Sequence, residues 1–108
     1  MQKLYKVLNK KYFGGLLPKD IIVYSEDMPG LDGYYEDETI YIGLHLKDDE
    51  LKSTLIHEMI HVWQELFAPM ELFDDGSLKL KAYDKKIHSG FFLEVCNYLE
   101  DITGLEIM

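Results

Sequence analysis

A long helix is written into residues 48–67 more firmly than any other element into this chain. Asp48-Asp49-Glu50 offers an N-cap and acids for the positive end of the helix dipole, and Pro69 stops the helix near Phe67. At about 100° per residue, Leu55, Ile56, Met59, Ile60, Val62, Trp63, Leu66 and Phe67 cover one broad apolar arc. Such a helix is expected to lie against a sheet, with further helices at its flanks.

The rest of the chain supplies those partners. Gln2 to Phe13 has helical spacing and stops at Gly14-Gly15; Lys3, Lys6 and Lys10 share one side of it and read as a solvated face. Ile21 to Ser25 is β-branched and apolar. Gly33 to Glu36 and Thr39 to Leu44 form a hairpin around an acidic link, with Tyr34, Ile40 and Ile42 suggesting a buried face. Pro69 to Lys86 is a long mixed connection, with a turn at Asp74-Asp75-Gly76-Ser77 and a short strand expected in Leu78 to Tyr83. A last helix is expected from near Ser89 to before Gly104. The fold class is α+β: a small, mainly antiparallel three-stranded sheet on the long helix, in one domain spanning 1–108.

Composition narrows the function. Apolar residues make up 47% and charged residues 29%, a balance that sustains a packed core. No apolar run approaches the roughly 20 residues of a membrane span, and the Lys-rich N-terminal stretch is unlike a signal peptide, so a soluble cytoplasmic protein is expected. Cys96 is the only cysteine, which excludes an intramolecular disulfide and a Cys-rich structural zinc site; it reads as a small buried hydrophobe. The net charge is −9 and all eleven basic residues are lysines. Without arginine, and in a negative field, this chain alone is expected to bind DNA weakly.

Inside the long helix stands His57-Glu58-Met59-Ile60-His61, the pattern H-E-x-x-H. Positions i and i+4 share a helical face, so both imidazoles can reach one ion, and the adjacent Glu58 is offset enough to meet a water on that ion instead. Both histidines project away from the centre of the apolar arc, where core histidines would sit. A catalytic zinc takes three protein ligands and keeps one position open, and it lowers the pKa of its water toward about 7 so that a carboxylate can remove the proton. The third ligand is open among His88, His45, Glu71, Asp74 and Glu94. His88 precedes the last helix and would complete a neutral set, while His45 suits a surface or capping role. Tyr41 and Tyr83 are both candidates for a hydroxyl that stabilises an oxyanion. Trp63 reads as core.

These residues resemble a family. Leu8-Asn9-Lys10-Lys11-Tyr12-Phe13-Gly14-Gly15-Leu16-Leu17-Pro18, Thr39-Ile40-Tyr41-Ile42, Leu55-Ile56-His57-Glu58-Met59-Ile60-His61 and His88-Ser89-Gly90-Phe91-Phe92, in that order, look like the SprT-like or Spartan-type zinc metallopeptidase domain, a minimal gluzincin-like H-E-x-x-H family. The resemblance implies Zn2+ held by His57, His61 and His88, with Glu58 as general base, and proteolysis, in the best-known members of proteins crosslinked to DNA. The chain departs from that pattern in a 26-residue interval between His61 and His88 and in having too few cysteines for the zinc ribbon that often follows the domain.

The expected activity is therefore hydrolysis of peptide bonds in a protein or peptide substrate, with any targeting supplied by a partner protein. Two other classes are open. One is a catalytically silent interaction module, against which the intact Glu58 argues. The other is a metal-dependent small-amide hydrolase of the deformylase kind, which would carry a cysteine ligand upstream of the motif; here the lone cysteine lies downstream.

Overall fold

A computed structural model describes residues 1–67, 70–72, 78–80 and 91–107. The chain is α+β. Helix α1 (Gln2–Tyr12) leads to strands β1 (Ile22–Glu26), β2 (Gly33–Glu36) and β3 (Thr39–Gly43), then the long helix α2 (Asp48–Phe67). Two short strands, β4 (Met70–Leu72) and β5 (Leu78–Leu80), pair antiparallel, and α3 (Phe91–Thr103) follows. Strand β5 falls inside the stretch where a strand was expected. The three-residue β4 was not anticipated, being too short to show a period.

The three-stranded sheet has the order β1-β3-β2, with β3 in the centre. The β2–β3 hairpin is antiparallel, with Tyr34 opposite Tyr41 and Tyr35 opposite Ile40. Strand β1 runs parallel to β3, so the sheet is mixed rather than mainly antiparallel. The reason lies after β1: the segment through the Pro29-Gly30 turn, anchored by buried Met28, carries the chain to the far edge before it reverses into β3. The hairpin turn is Asp37-Glu38, and both residues have positive φ, 49° and 60°.

Helix α1 is fastened through polar side chains. Its buried residues are Tyr5, Leu8 and Asn9, whereas Val7 is exposed. The Asn9 amide donates to the Leu17 carbonyl at 3.0 Å and accepts from the Leu17 N–H at 3.1 Å, closing the Gly14-Gly15 turn. Gln2 does the same to β1, donating to the Ile21 carbonyl at 2.7 Å and accepting from the Val23 N–H at 3.0 Å. Lys3, Lys6 and Lys10 are exposed, as the solvated face required.

One face of the sheet, through Val23, Ile40 and Ile42, shares a core with Leu55, Ile56, Met59, Ile60 and Val62 of α2 and with Cys96 and Leu99 of α3. Gly33 lets β2 approach α2, since a Cβ there would lie 2.9 Å from the Thr54 methyl and from the Tyr41 carbonyl. Trp63 packs against this core beside Phe13. Tyr34 lies on the opposite face with Tyr41, and it is Tyr35 that turns toward the core. Helix α3 ends at Gly104, whose φ of 73° suits a glycine cap and whose N–H returns to the Glu100 carbonyl. Among the described residues no helix is long and apolar enough to cross a membrane.

Candidate metal centre

Helix α2 presents His57 and His61 one turn apart, with ring centroids 5.0 Å from each other and planes at 76°. Each ring is oriented through Nδ1. His57 Nδ1 pairs with the backbone carbonyl of Ile107 at 2.8 Å, and His61 Nδ1 pairs with Gln64 Oε1 at 3.2 Å. A carbonyl oxygen only accepts, so Nδ1 carries a hydrogen in both rings, which in the neutral imidazole leaves the lone pair on Nε2. Metal-ligating histidines are ordinarily held this way, with the second nitrogen donating to a carbonyl.

The Ile107 carbonyl is itself fixed. Beyond the Gly104 cap, Leu105 N–H donates to Thr103 Oγ1 at 3.1 Å and Ile107 N–H donates to Glu100 Oε2 at 2.9 Å. The Ile107 side chain is 3% exposed, so packing and hydrogen bonding both pin this segment across α2.

Glu58 is buried at 5% exposure, and burial pushes its carboxyl from the ordinary 4.5 up to about 7. A carboxylate in that range can accept a proton near neutrality and hand it on. Two clefts meet at His57 and Glu58. One, of about 760 Å³, lies between the loop at Gly30 to Gly33, the first half of α2 and the segment Gly104 to Ile107. The other, of about 670 Å³, lies between the edge strand β2 and the second half of α2, with His61, Gln64 and Glu65 in its wall. Tyr35 lines that second cleft. Desolvation, followed by the influence of the Glu65 carboxylate, holds its phenol well above the ordinary pKa.

Among the described residues His57 and His61 offer two imidazole donors from one helix face, of the kind a divalent ion such as zinc takes, and Glu58 stands beside them without belonging to the donor set. His88 lies outside the described residues, as do Tyr83, Asp74 and the side chain of Glu71. Glu94 is exposed on α3, and among the described residues no three of His, Cys, Asp or Glu are grouped to hold a metal. His45 has the surface role expected of it, with Nε2 2.9 Å from the exposed Asp32 carboxylate. The Tyr41 hydroxyl group belongs to the sheet face turned away from α2, so it does not serve this site. Cys96 is buried, and burial followed by Glu100 raises its thiol to about 11, so it stays protonated.

Sequence reasoning missed Tyr35, Gln64 and Ile107. Gln64 was within reach, since it stands three residues beyond His61 on the same helix. Tyr35 was hidden by Tyr34, because two adjacent tyrosines in a strand point to opposite faces and either one fits the core. Ile107 acts through its backbone, which no side-chain pattern records. A scan against protein-family models matched none, and a search of curated proteins returned no match.

Proposed function

We propose that residues 1–108 form a zinc-dependent metalloendopeptidase domain in which His57, His61 and His88 hold the ion and Glu58 is the general base. The observation that carries this is the joint orientation of His57 and His61, each with Nδ1 engaged by an acceptor and Nε2 bearing the lone pair, beside a carboxyl poised near 7. Zinc, when bound, supplies a Lewis acid that acidifies a water and polarises a carbonyl. Glu58 would accept the proton of the attacking water and pass it to the leaving amine.

Substrate placement follows from the sheet edges. Gln2 occupies the backbone groups of Ile21 and Val23 on the outer side of β1, whereas β2 borders the second cleft. An extended peptide adding to β2 would run past Glu58 and His61, with main-chain hydrogen bonds giving affinity independent of sequence. A peptide-bound structure with the peptide away from any strand edge would reject this placement.

The test joins metal analysis to cleavage. One zinc per chain is expected, with hydrolysis of unfolded casein and none of a formylated peptide. Glu58→Gln should keep the zinc and lose casein cleavage by a factor of about 10² or more. Zinc without cleavage in the wild type would favour the silent interaction module, and formyl-peptide cleavage the small-amide hydrolase.

A further inference from the structure

The sheet face turned away from α2 carries an aromatic row unrelated to the metal centre. Register places Tyr24 of β1 and Tyr34 of β2 on either side of Tyr41 in β3. Tyr34 and Tyr41 stack with centroids 4.4 Å apart at 15°, and Tyr24 and Tyr41 at 5.9 Å and 28°. The two outer rings each turn one face inward to Tyr41, and the other faces along the row. Tyr24 is 52% exposed, and Ile22, two residues away on the same strand face, is 47% exposed.

The charged residues that these strands place on the face of the row are acidic. Glu26 lies two residues beyond Tyr24 and Glu36 two beyond Tyr34, both on this face and both exposed. The three strands contain no lysine, and the turn joining β2 to β3 is Asp37-Glu38. Desolvation, then Tyr41, Glu26 and Glu36, raise the Tyr34 phenol above its ordinary value, in keeping with two carboxylates on the same sheet face.

An aromatic ring face has negative electrostatic potential, so it attracts cations, and a planar guanidinium stacks on it better than an ammonium does. Flanking carboxylates add a second, geometrically distinct contact for the same cation. Nucleic acid, which also uses aromatic platforms, would meet Glu26, Glu36 and a net charge of −9. We propose that the row Tyr24-Tyr41-Tyr34, with Glu26 and Glu36, docks an arginine- and lysine-rich segment of a partner protein. The row ends on β2, where Tyr34 and Glu36 also border the second cleft, so such a segment would reach the rim of the candidate active site. The docking itself is independent of the metal and of catalysis.

The probe is a short synthetic peptide of alternating arginine and glycine, titrated into the full chain and followed by amide NMR shifts and by anisotropy. Shifts are expected to concentrate in β1, β2 and β3. Tyr24→Leu with Tyr34→Leu, which keeps apolar area and removes the ring faces, should weaken binding by about fivefold or more. Glu26→Gln with Glu36→Gln should do the same and flatten the salt dependence. Asp20→Asn with Asp101→Asn makes the same change in net charge at exposed sites elsewhere and should leave binding within about twofold. Shifts spread over the whole acidic surface, equal weakening by the control pair, or full binding by the leucine pair would overturn the proposal. If either tyrosine variant fails to fold, the shift map on the wild-type protein decides it.

Discussion

The imidazole of His57 and the backbone carbonyl of Ile107, fifty residues apart in sequence, are joined by a 2.8 Å hydrogen bond from Nδ1. The carbonyl is held by the Ile107 N–H, which donates to Glu100. Glu100 is thus linked to a candidate ligand through two hydrogen bonds and the Ile107 backbone. Glu100→Ala should weaken zinc binding by about tenfold, the size expected for loss of an orienting partner. The 15N shifts of His57 in the metal-free protein should move toward a tautomer mixture. Unchanged affinity and shifts would show that the segment is packing only.

The proposed ligands His57, His61 and His88 make a second expectation. Alanine at His57, His61 or His88 should each empty the site, and Glu94→Ala should leave about one zinc per chain. Because imidazole binds metal only when neutral, acidification below its ordinary pKa of about 6.5 should release the ion. Full occupancy in His88→Ala with loss in Glu94→Ala would reassign the third ligand.

Burial of Glu58 gives the metal-free protein a pH dependence of definite sign. In the unfolded chain this carboxyl ionises near 4.5, and in the folded chain near 7. Between those values the native state keeps a proton that the unfolded state has lost, so stability falls as pH rises through the window and the loss is complete above it. Glu58→Gln lacks this cost. In chelator, the variant should be more stable than wild type above about pH 7, by at most about 3 kcal/mol, and equal to it below about pH 4.5. Denaturant curves at several pH values that run parallel for both proteins would contradict this.

The turn Asp37-Glu38 asks two ordinary residues to adopt positive φ, 49° and 60°. A two-residue hairpin link of this kind favours Asn or Asp followed by Gly. Glu38→Gly should therefore raise stability by about 1 kcal/mol, seen as a higher urea midpoint at unchanged slope. No gain would mean that neighbours of Glu38 offset the backbone cost.

Composition and family resemblance pull apart over DNA. The only lysine groupings in sequence are Lys3-Lys6-Lys10-Lys11 and Lys79-Lys81-Lys85-Lys86, in a chain with twenty acidic residues. Binding to single- or double-stranded oligonucleotides at physiological salt should be weaker than about 1 µM by anisotropy. Tight binding that declines steeply with salt would overturn this.

What was legible in the sequence had a local cause. The 20-residue α2 carries a sustained helical period, and the hairpin has strands flanking an acidic turn, so both were readable. The parallel pairing of β1 with β3 depends on where the chain travels between strands, and no residue encodes that alone. The same holds at the site. The spacing of His57, Glu58 and His61 is local, whereas the carbonyl that orients His57 comes from the far end of the chain. The third ligand predicted from sequence, His88, falls outside the described residues.

The Gln2 side chain has a consequence for how copies of this sheet meet. Edge strands invite association, because their unpaired N–H and C=O groups template another strand. The Gln2 amide imitates a peptide group and already takes the Ile21 carbonyl and the Val23 N–H. A second molecule could pair with these two groups at the start of β1 only by displacing both bonds. Head-to-tail stacking of β1 on β2, the arrangement that would repeat without limit, is therefore disfavoured. Pairing of β2 against β2 meets no such obstacle from Gln2, and it joins like edges and closes at two. One glutamine thus covers the start of an edge from which open-ended growth could proceed.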